Sequence, residues 1–451
     1  MNICIINGSP KGKYSITLQT MLYIEKYFPD INYSYINAGQ KIRLYESDFS
    51  EPQEKLKNAD IIVFSYPVYT FLAPSQLHRF IELMKASGID FTNKFSTQIT
   101  TSKHFYDITA HRYIEDNCFD MGFKVIHGLS ADMDDLLTEK GQKDAKEFWK
   151  FMLYCFENNI YELRQTIVPK KIEWDGIKEE GKEKDNKYDI AIVADIHDDD
   201  IILKEMIEYY SSISNYSVRL INIADYPFAG GCLGCFNCAS DGKCIYKDGF
   251  DRFLRERIQT ADAIVYAFSI RDHSMGSKFK MYDDRQFCNG HRTVTEGMPF
   301  GYIVYGDYAN ESNLNTLIDA RCEVGHNFLS GVGYNAETIK AMNTRLEYTL
   351  NNHYVQPRNF YGVGGMKIFR DLIWLMRGLM KADHDFYKKH GVYDFPQKKR
   401  GFMLKMSLLG AMLRNPKIKA KIGNKMNDGM IAPYKKIIDG DGNKANKNKK
   451  K

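Results

Sequence analysis

The stretch Asn2-Ile-Cys-Ile-Ile-Asn-Gly-Ser-Pro-Lys-Gly-Lys-Tyr-Ser-Ile-Thr17 decides the fold of the N-terminal part of this chain. It opens on a short apolar run, Asn2–Ile6, which is rich in the β-branched residues that strands favour, and a Gly-Ser-Pro turn follows. From Thr17 to Tyr27 the apolar residues recur at helical spacing. The stretch therefore predicts a strand, a loop and a helix, which together form the repeating unit of a parallel α/β sheet.

The same alternation of strands and helices continues outward from this stretch and then occurs a second time. We predict two tandem, doubly wound α/β domains with parallel sheets, in residues 1–165 and 188–345, joined by a charged linker over 166–187. The two series match element by element, so we interpret them as a tandem duplication. The further strands of the first domain are predicted at Asn32–Ile36, Ile61–Ser65, Phe95–Thr100 and Lys124–His127, and those of the second at Asp189–Ala194, Val218–Ile223, Ala263–Ser269 and Gly301–Tyr305.

The composition places the chain among ordinary globular proteins. Of 451 residues, 44% are hydrophobic and 26% are charged, which excludes a wholly disordered or fibrous chain. No apolar run approaches the ~18 residues of a spanning helix, and Met1 leads directly into a strand, so we expect a cytoplasmic protein without a signal peptide. Four of the nine cysteines lie close together, which in a reducing compartment indicates metal or cluster ligation.

The last part of the chain, residues 346–451, is predicted to be helical and basic. Apolar residues recur at helical spacing from Ile368 to Met380, Phe402–Leu413 forms another apolar helix, and Gly362-Val-Gly-Gly365 is interpreted as a hinge. From Lys398 onward, 16 Lys and Arg face three Asp, a net charge of +13, so the remaining chain carries 5 − 13 = −8.

This charge asymmetry suggests a partner for the basic end of the chain. A partner with negative charge would be an anionic lipid surface, a nucleic acid or an acidic redox protein. A peripheral membrane contact is the first of these hypotheses, and nucleic acid is not favoured because no RNA-binding signature is present. The alternative is a core helix followed by a solvated lysine tail.

The loop Asn7-Gly-Ser-Pro-Lys-Gly-Lys-Tyr-Ser-Ile-Thr17 indicates an anion site. It lies between a strand and a helix, where the helix N-terminus offers free N–H groups and a partial positive charge. Ser9, Ser15 and Thr17 add hydroxyl donors, and Lys11 adds a positive charge. The alternative is an ordinary loop with an N-capping serine.

A second loop follows the third predicted strand, Ser65-Tyr-Pro-Val-Tyr-Thr70, with Pro74-Ser-Gln-Leu after it. Its tyrosines, Tyr66 and Tyr69, could frame a flat ring system, and two prolines stiffen it. The first and third strands flank the switch point of a doubly wound sheet, so both loops would face one crevice. The alternative is a proline-rich turn with core tyrosines.

These two loops resemble those of the flavodoxin-like NADPH-dependent FMN reductases. The stretch N-G-S-P-K-G…S-I-T resembles the phosphate loop of that family, and Y-P-V-Y…P-S-Q-L-H-R-F its isoalloxazine loop; the resemblance covers residues 1–160 and, in weaker form, 187–345. It implies FMN as cofactor and NAD(P)H as donor. It implies contacts to the phosphate from Ser9, Lys11, Ser15, the Ile16 backbone and Thr17, to the ring from Pro67, Val68, Tyr69 and Thr70, and beside the ring from Thr101 and Ser102, where the family often has glycines.

The second predicted domain carries the cysteine loop Cys232-Leu-Gly-Cys235-Phe-Asn-Cys238-Ala-Ser-Asp-Gly-Lys-Cys244. The C-x2-C-x2-C-x5-C spacing favours a four-iron four-sulfur cluster, because three cysteines at x2 spacing are unusual for zinc. Zinc and free thiols remain alternatives. The stretch also resembles the iron–sulfur flavoproteins, which implies a cluster beside FMN.

The first loop of the second domain, Ala194-Asp-Ile-His-Asp-Asp-Asp200, is acidic and would repel a phosphate. We therefore predict one FMN in the first domain and one cluster in the second. The two halves would act as an internal pseudo-dimer, with the cysteine loop facing Tyr66–Thr70. Elsewhere the cysteines are expected to be structural: Cys4, Cys118, Cys155, Cys288 and Cys322.

Together these patterns predict a flavin-dependent oxidoreductase. Electrons would pass from NAD(P)H or another donor through FMN and the cluster to an acceptor, either a redox partner protein or a small molecule. No catalytic acid or base is identified. The alternative is an electron-carrier or scaffold protein with structural zinc and no substrate turnover.

Overall fold

The computed structural model describes residues 1–104, 107–164, 170, 172–179, 183–419, 431–432, 434–435 and 438. Met1–Tyr387 form one compact unit, and the described residues from Lys388 onward belong to a second, which is treated by itself below.

The first parallel sheet is built around the strand that opens the chain. Strand β1 pairs in parallel with β2 on one side and β3 on the other, and the full order is β2-β1-β3-β4-β5, with β6 paired to β4. The elements are β1 Asn2–Asn7, α1 Ile16–Tyr27, β2 Asn32–Ile36, α2 Ala38–Ser47, α3 Ser50–Asn58, β3 Ile61–Pro67, α4 Ser75–Ala86, β4 Phe95–Ser102, α5 Asp107–Asp120, β5 Lys124–Val125, β6 Leu129–Asp132 and α6 Glu139–Glu157.

The second parallel sheet repeats the strand order of the first. Its order is β11-β10-β9-β7-β8, which becomes 2-1-3-4-5 when its strands are counted from its own first strand. Two α/β domains of this class were predicted, and that fold class is confirmed. The elements are β7 Asp185–Asp195, α7 Ile201–Ile213, β8 Tyr216–Asn222, α8 Cys238–Asp241, α9 Phe250–Phe253, a π-helical turn Leu254–Ile258, β9 Ala263–Ser269, α10 Gly276–Arg285, β10 Pro299–Tyr305, α11 Ser312–Gly325, β11 Phe328–Gly333 and α12 Ala336–Asn352.

Several boundaries differ from the sequence-based expectation. Strand β7 begins at Asp185, inside the predicted linker 166–187, of which residues 166–169, 171 and 180–182 lie outside the described residues. Helices α10 and α12 and strand β11 were not predicted, and α12 runs past the expected boundary at residue 345. The helix expected over Phe250–Thr260 is α9 continued by the π-helical turn.

The helical C-terminal part begins with α13 Phe360–Leu375 and α14 Lys381–Lys389 and, in the second unit, has α15 Arg400–Leu413. Gly362-Val-Gly-Gly365 was interpreted as a hinge, and this was wrong, because the stretch lies inside α13. A Cβ at Gly362 would lie 2.6 Å from the carbonyl oxygen of Glu323, so glycine there lets α13 approach α11 closely. Most of the lysine tail after Lys419 lies outside the described residues.

Among the described residues, the helices are all too short or too polar to cross a membrane.

The two halves of the first unit meet through equivalent helices, α4 with α10 and α5 with α11. Neither Pro74 nor Met275, the residues before α4 and α10, caps its helix with a side chain. Each cap comes from the other half. Asp284 on α10 accepts a hydrogen bond from the Ser75 amide at 2.8 Å, and Glu82 on α4 accepts one from the Ser277 amide at 2.9 Å. A carboxylate at a helix N-terminus is favoured by the free N–H groups and the helix dipole.

A pair of tight turns repeats this correspondence. Tyr69–Leu72 and Arg271–Ser274 each close on themselves by an antiparallel bridge. Their central residues all have positive φ, 47° and 69° at Thr70 and Phe71, and 52° and 61° at Asp272 and His273. Such a conformation is unfavourable for residues with side chains and persists where the surroundings hold it. Each turn, each capping carboxylate and each capped serine lies 202 positions from its counterpart.

The second of these turns is held by ion pairs to both halves. His273 Nε2 lies 2.8 Å from Asp120 Oδ2, and its Nδ1 lies 2.9 Å from Glu311 Oε1. Burial alone would lower the pKa of His273, but the hydrogen bonds to these two carboxylates outweigh it and raise the pKa to about 9. The imidazole is therefore a cation at neutral pH.

The pKa of His273 predicts a pH-dependent interface. Its folded pKa of about 9 exceeds the ordinary value of 6.5, so its stabilisation is complete below pH 6.5 and is lost as the pH rises through 9. We expect His273→Gln to lower the free energy of unfolding by on the order of 1–3 kcal/mol at pH 6 and by much less at pH 9.5. Urea unfolding at both pH values measures this.

The matched control is His127→Gln, because His127 pairs with Glu115 at an exposed position where ion pairs contribute little. A loss of stability from His273→Gln that is equal at the two pH values would contradict the assignment.

Candidate functional site

The predicted phosphate loop is a buried, internally bonded turn at the end of β1. The Asn7 side chain donates to the Gly12 carbonyl at 3.2 Å and accepts from the Ser9 amide at 3.2 Å. Gly12 has a φ of +55°, which favours glycine at this point of the turn. Ser15 caps α1 by accepting a hydrogen bond from Leu18 N at 3.4 Å. The loop thus presents hydroxyl groups and a helix N-terminus, both of which suit an anion.

The end of β4 completes this side of the site. The hydroxyl groups of Thr17 and Thr101 form a hydrogen bond of 2.6 Å, and both side chains are buried. Thr101 and Ser102 line the main cavity, whereas Thr17 does not. Thr17 therefore holds Thr101 in place, and its contact with a phosphate stays a prediction.

The turn after β3 is held by a buried ion pair from the other half. Lys280 on α10 donates to the Tyr69 carbonyl at 3.0 Å and to the Thr70 hydroxyl at 3.2 Å, and it pairs directly with Asp284. Asp284 also accepts from the Thr70 hydroxyl at 2.9 Å. Lys280 and Asp284 are both fully buried at 0% exposure, so loss of either partner would leave an uncompensated buried charge, which typically costs about 3–5 kcal/mol.

The cysteine loop lies against the same turn. The Cys232 carbonyl accepts from Gln76 Nε2 at 3.3 Å, and Lys11 Nζ lies 5.0 Å from the Phe236 ring centre. At Gly234, whose φ is +58°, a Cβ would lie 1.9 Å from the Tyr69 hydroxyl oxygen. Glycine at this position therefore lets the cysteine loop approach the phosphate loop and the Tyr69 turn closely, as predicted for its placement.

None of the nine cysteines, all of which are described, is in a disulfide. The Cys232 sulfur accepts from the Gly234 amide at 3.4 Å, and Arg285 Nη2 lies 3.7 Å from the Cys244 sulfur. Burial, together with nearby Cys244 and Cys235, raises the pKa of Cys238 to about 11. Across the described residues, no three Cys, His, Asp or Glu side chains are grouped closely enough to hold a single metal ion.

Arg285 is a buried cation beside this loop. It pairs with Asp248 through two contacts of 2.8 Å, donates to the Gly230 carbonyl at 2.8 Å, and lies 4.5 Å from the Tyr246 ring centre. Asp248 therefore balances the charge of Arg285 and holds its guanidinium group beside the Cys244 sulfur.

A single cavity of about 450 Å³ connects all these parts. Fourteen of the fifteen predicted site residues line it, and Thr17 is the exception. Together with the second half, α13 contributes Phe369 and Leu372 to the wall. The predicted residues on the wall are Ser9, Lys11, Ser15, Ile16, Pro67, Val68, Tyr69, Thr70, Thr101, Ser102, Cys232, Cys235, Cys238 and Cys244.

Sequence reasoning missed four residues at this site. Lys280, Asp284 and Arg285 lie on α10, which was not predicted; their i, i+4 charge pattern could have indicated a helix but would have been interpreted as a solvated face. Cys288 was considered scattered, yet it lies near Cys238 and Cys244, whose charges help to raise its pKa to about 12 after burial. Cys288 is 44 positions from Cys244, so no local sequence pattern could have predicted that the two lie close together.

Two of the four aspartates in the acidic loop of the second half are paired with neighbouring side chains. Asp195 lies 3.2 Å from His197 Nε2, and Asp200 lies 3.1 Å from Arg271 Nη2 and accepts from the Ser269 hydroxyl at 2.7 Å. His197, Arg271 and Ser269 are therefore already bonded to carboxylates of the loop.

Comparisons with known proteins agree with this architecture. Residues 1–111 match the family described as having a flavodoxin-like fold. No curated protein matches the sequence significantly.

Solved structures match about a third of the chain. A putative quinone reductase from Klebsiella pneumoniae is 16% identical, with a TM-score of 0.27, over 34% of this chain and 84% of its own. An NAD(P)H:quinone oxidoreductase from Methanothermobacter marburgensis is 12% identical, with a TM-score of 0.27, over 37% of this chain and 98% of its own. An FMN-dependent NADH-azoreductase from Bacillus anthracis is 13% identical, with a TM-score of 0.26, over 36% of this chain and 100% of its own.

The strand order, the loop between β1 and α1, and the match over residues 1–111 agree with one another: the N-terminal part of this chain has a flavodoxin-like fold.

Proposed function

We propose that this protein is a flavin-dependent oxidoreductase that binds FMN in its first half and a four-iron four-sulfur cluster in its second. Electrons would come from NAD(P)H or a comparable donor and leave to an external acceptor. One observation carries the proposal: the phosphate loop, the Tyr69 turn and the cysteine loop open on one cavity, although they come from two different sheets.

The residues present fit FMN. Ser9 and Ser15 are buried hydroxyl groups at the N-terminus of α1 and would donate to a phosphate, together with the Ile16 amide. Pro67, Val68 and the Tyr69 ring would cover one side of a flat ring system, because they follow β3 at the switch point of the sheet. The cavity volume falls within the ~300–1,000 Å³ of small-molecule sites.

The cysteines suit a cluster better than a single ion. Three cysteines at x2 spacing favour a four-iron cluster, because zinc sites usually pair two ligand knuckles across a longer gap. The Gly234 amide and the Arg285 guanidinium supply donors to cysteine sulfur of the kind that stabilise clusters. These features support the cluster, and structural zinc stays the alternative.

When bound, FMN supplies hydride acceptance and single-electron release, and the cluster supplies one-electron transfer. The task of this chain is to hold and shield both. Lys280 and Asp284 hold the Tyr69 turn in its positive-φ conformation, the packing of Gly234 on Tyr69 brings the cysteine loop against that turn, and Arg285 places a positive charge beside Cys244.

We also propose that the two halves act as an internal pseudo-dimer. Equivalent helices face each other and exchange equivalent caps, which is the pattern of a two-fold, isologous interface. In this arrangement each half needs only one of the two redox sites.

The phosphate loop yields a test of the flavin site. Replacing Ser9 by Ala removes one hydrogen bond to a charged phosphate, worth ~1.5–3 kcal/mol, and should weaken FMN binding by roughly 10–100-fold. Fluorescence titration of the deflavinated protein with FMN measures this. The control is Asp198→Ala in the acidic loop of the second half, where the carboxylate is exposed and FMN affinity should not change. If Asp198→Ala weakened FMN binding and Ser9→Ala did not, the flavin would bind in the second half, and the proposed flavin site in the first half would be wrong.

The cysteine loop yields a second test. Cys235→Ser should remove the cluster and its iron and leave FMN binding intact, because Cys235 belongs to the loop and not to the flavin turn. Cys288→Ser is the matched control. Cys288 is buried nearby, but its hydrogen bonds to Arg255 and Arg292 are made by its backbone carbonyl, which the substitution keeps. Iron and FMN content of anaerobically purified variants are the readouts. Iron retained in Cys235→Ser but lost in Cys288→Ser would overturn the ligand set.

A further inference from the structure

Within the second unit, helix α15 has an apolar surface that is exposed. None of its residues from Arg400 to Leu413 is fully buried: Leu409 and Leu413 are half-buried, and the exposed apolar side chains range from 38% at Met406 to 64% at Leu404. A helix of a globular protein normally buries one apolar face. The other exposed apolar residues of α15 are Phe402, Met403, Leu408 and Met412.

The spacing along α15 gives this surface a direction. Leu404, Leu408 and Met412 recur at i, i+4 and i+8, which places these three exposed side chains on one stripe of the helix. The three positions span about two turns, so the stripe can lie along a flat surface.

Cations surround this stripe without any acid. From Phe395 to Lys419 there is no Asp or Glu, so nothing within the segment neutralises its positive charge. The partner of such a surface must offer apolar depth and negative charge together. A nucleic acid offers negative charge but does not bury a stripe of Leu and Met, whereas an anionic bilayer interface offers both. The cations are Lys398, Lys399, Arg400, Lys405, Arg414, Lys417 and Lys419.

We propose that α15 lies in the interface of an anionic lipid bilayer, with its apolar side chains among the acyl chains and its cations at the headgroups. The helix binds in the plane of the membrane and does not cross it. This inference goes beyond the proposed oxidoreductase function and does not depend on either cofactor.

Sedimentation of the full-length protein with vesicles tests the inference. The protein should sediment with vesicles of phosphatidylcholine and phosphatidylglycerol at low salt, and much less with phosphatidylcholine alone. Leu404→Ser with Leu408→Ser should weaken the binding about 100-fold or more, since each side chain loses a burial worth roughly tenfold. The melting temperature should not change, because both side chains are exposed.

The matched control is Leu137→Ser, which alters a leucine that is 81% exposed in the first unit, and it should leave vesicle binding unchanged. Three outcomes overturn the inference: no sedimentation with anionic vesicles, binding that the double variant does not weaken, or binding to duplex DNA in place of vesicles. A self-association that the double variant abolishes, with no vesicle binding, would also overturn it and assign α15 to a second copy of the chain.

Discussion

Glu82 and Asp284 each close the N-terminus of a helix in the other half of the chain, and the arrangement of the first unit depends on this exchange. Neither α4 nor α10 is capped by the side chain that precedes it, so a carboxylate from the opposite half accepts a hydrogen bond from an N–H group at each N-terminus. Asp284 is fully buried, and burial raises its pKa, while the neighbouring Lys280 cation opposes that shift. A buried charge of this kind is sustained only where its partners are in place. The docking of the halves and the order of the Tyr69 turn are thereby linked.

This link explains how two sheets can form one site. The Tyr69 turn is strained at Thr70 and Phe71, and Lys280 and Asp284 from the second half hold it. The same docking brings Gly234 of the cysteine loop against Tyr69. In the proposed function, the flavin and the cluster would then face each other inside a single polypeptide, where a protein with one such domain would need a second subunit. The acidic loop of the second half, with its own internal ion pairs, fits a half that has no phosphate to bind.

The sequence predicted the parts of the site that depend on local motifs. The loop from Asn7 to Thr17 and the cysteines from Cys232 to Cys244 could be identified because turn glycines, hydroxyl residues and close thiol spacing act over a few positions. The remaining parts depend on contacts between halves. Lys280 and Asp284 have the spacing of an ordinary solvated helix pair, and only the approach of α4 buries them. Thr70 and Phe71 disfavour positive φ, so no propensity predicts their turn. Gly362 was interpreted as a hinge because the packing of α13 on α11 could not be foreseen.

The proposed function requires that one chain carries a flavin in its first half and a cluster in its second. The visible spectrum of anaerobically purified full-length protein, combined with FMN, iron and zinc analysis of the same sample, tests this requirement. The protein should show flavin bands over a broad iron–sulfur absorption that bleaches on reduction, with one FMN and one four-iron cluster per chain. A colourless protein that contains zinc and no flavin would contradict it, as would two FMN per chain with no iron.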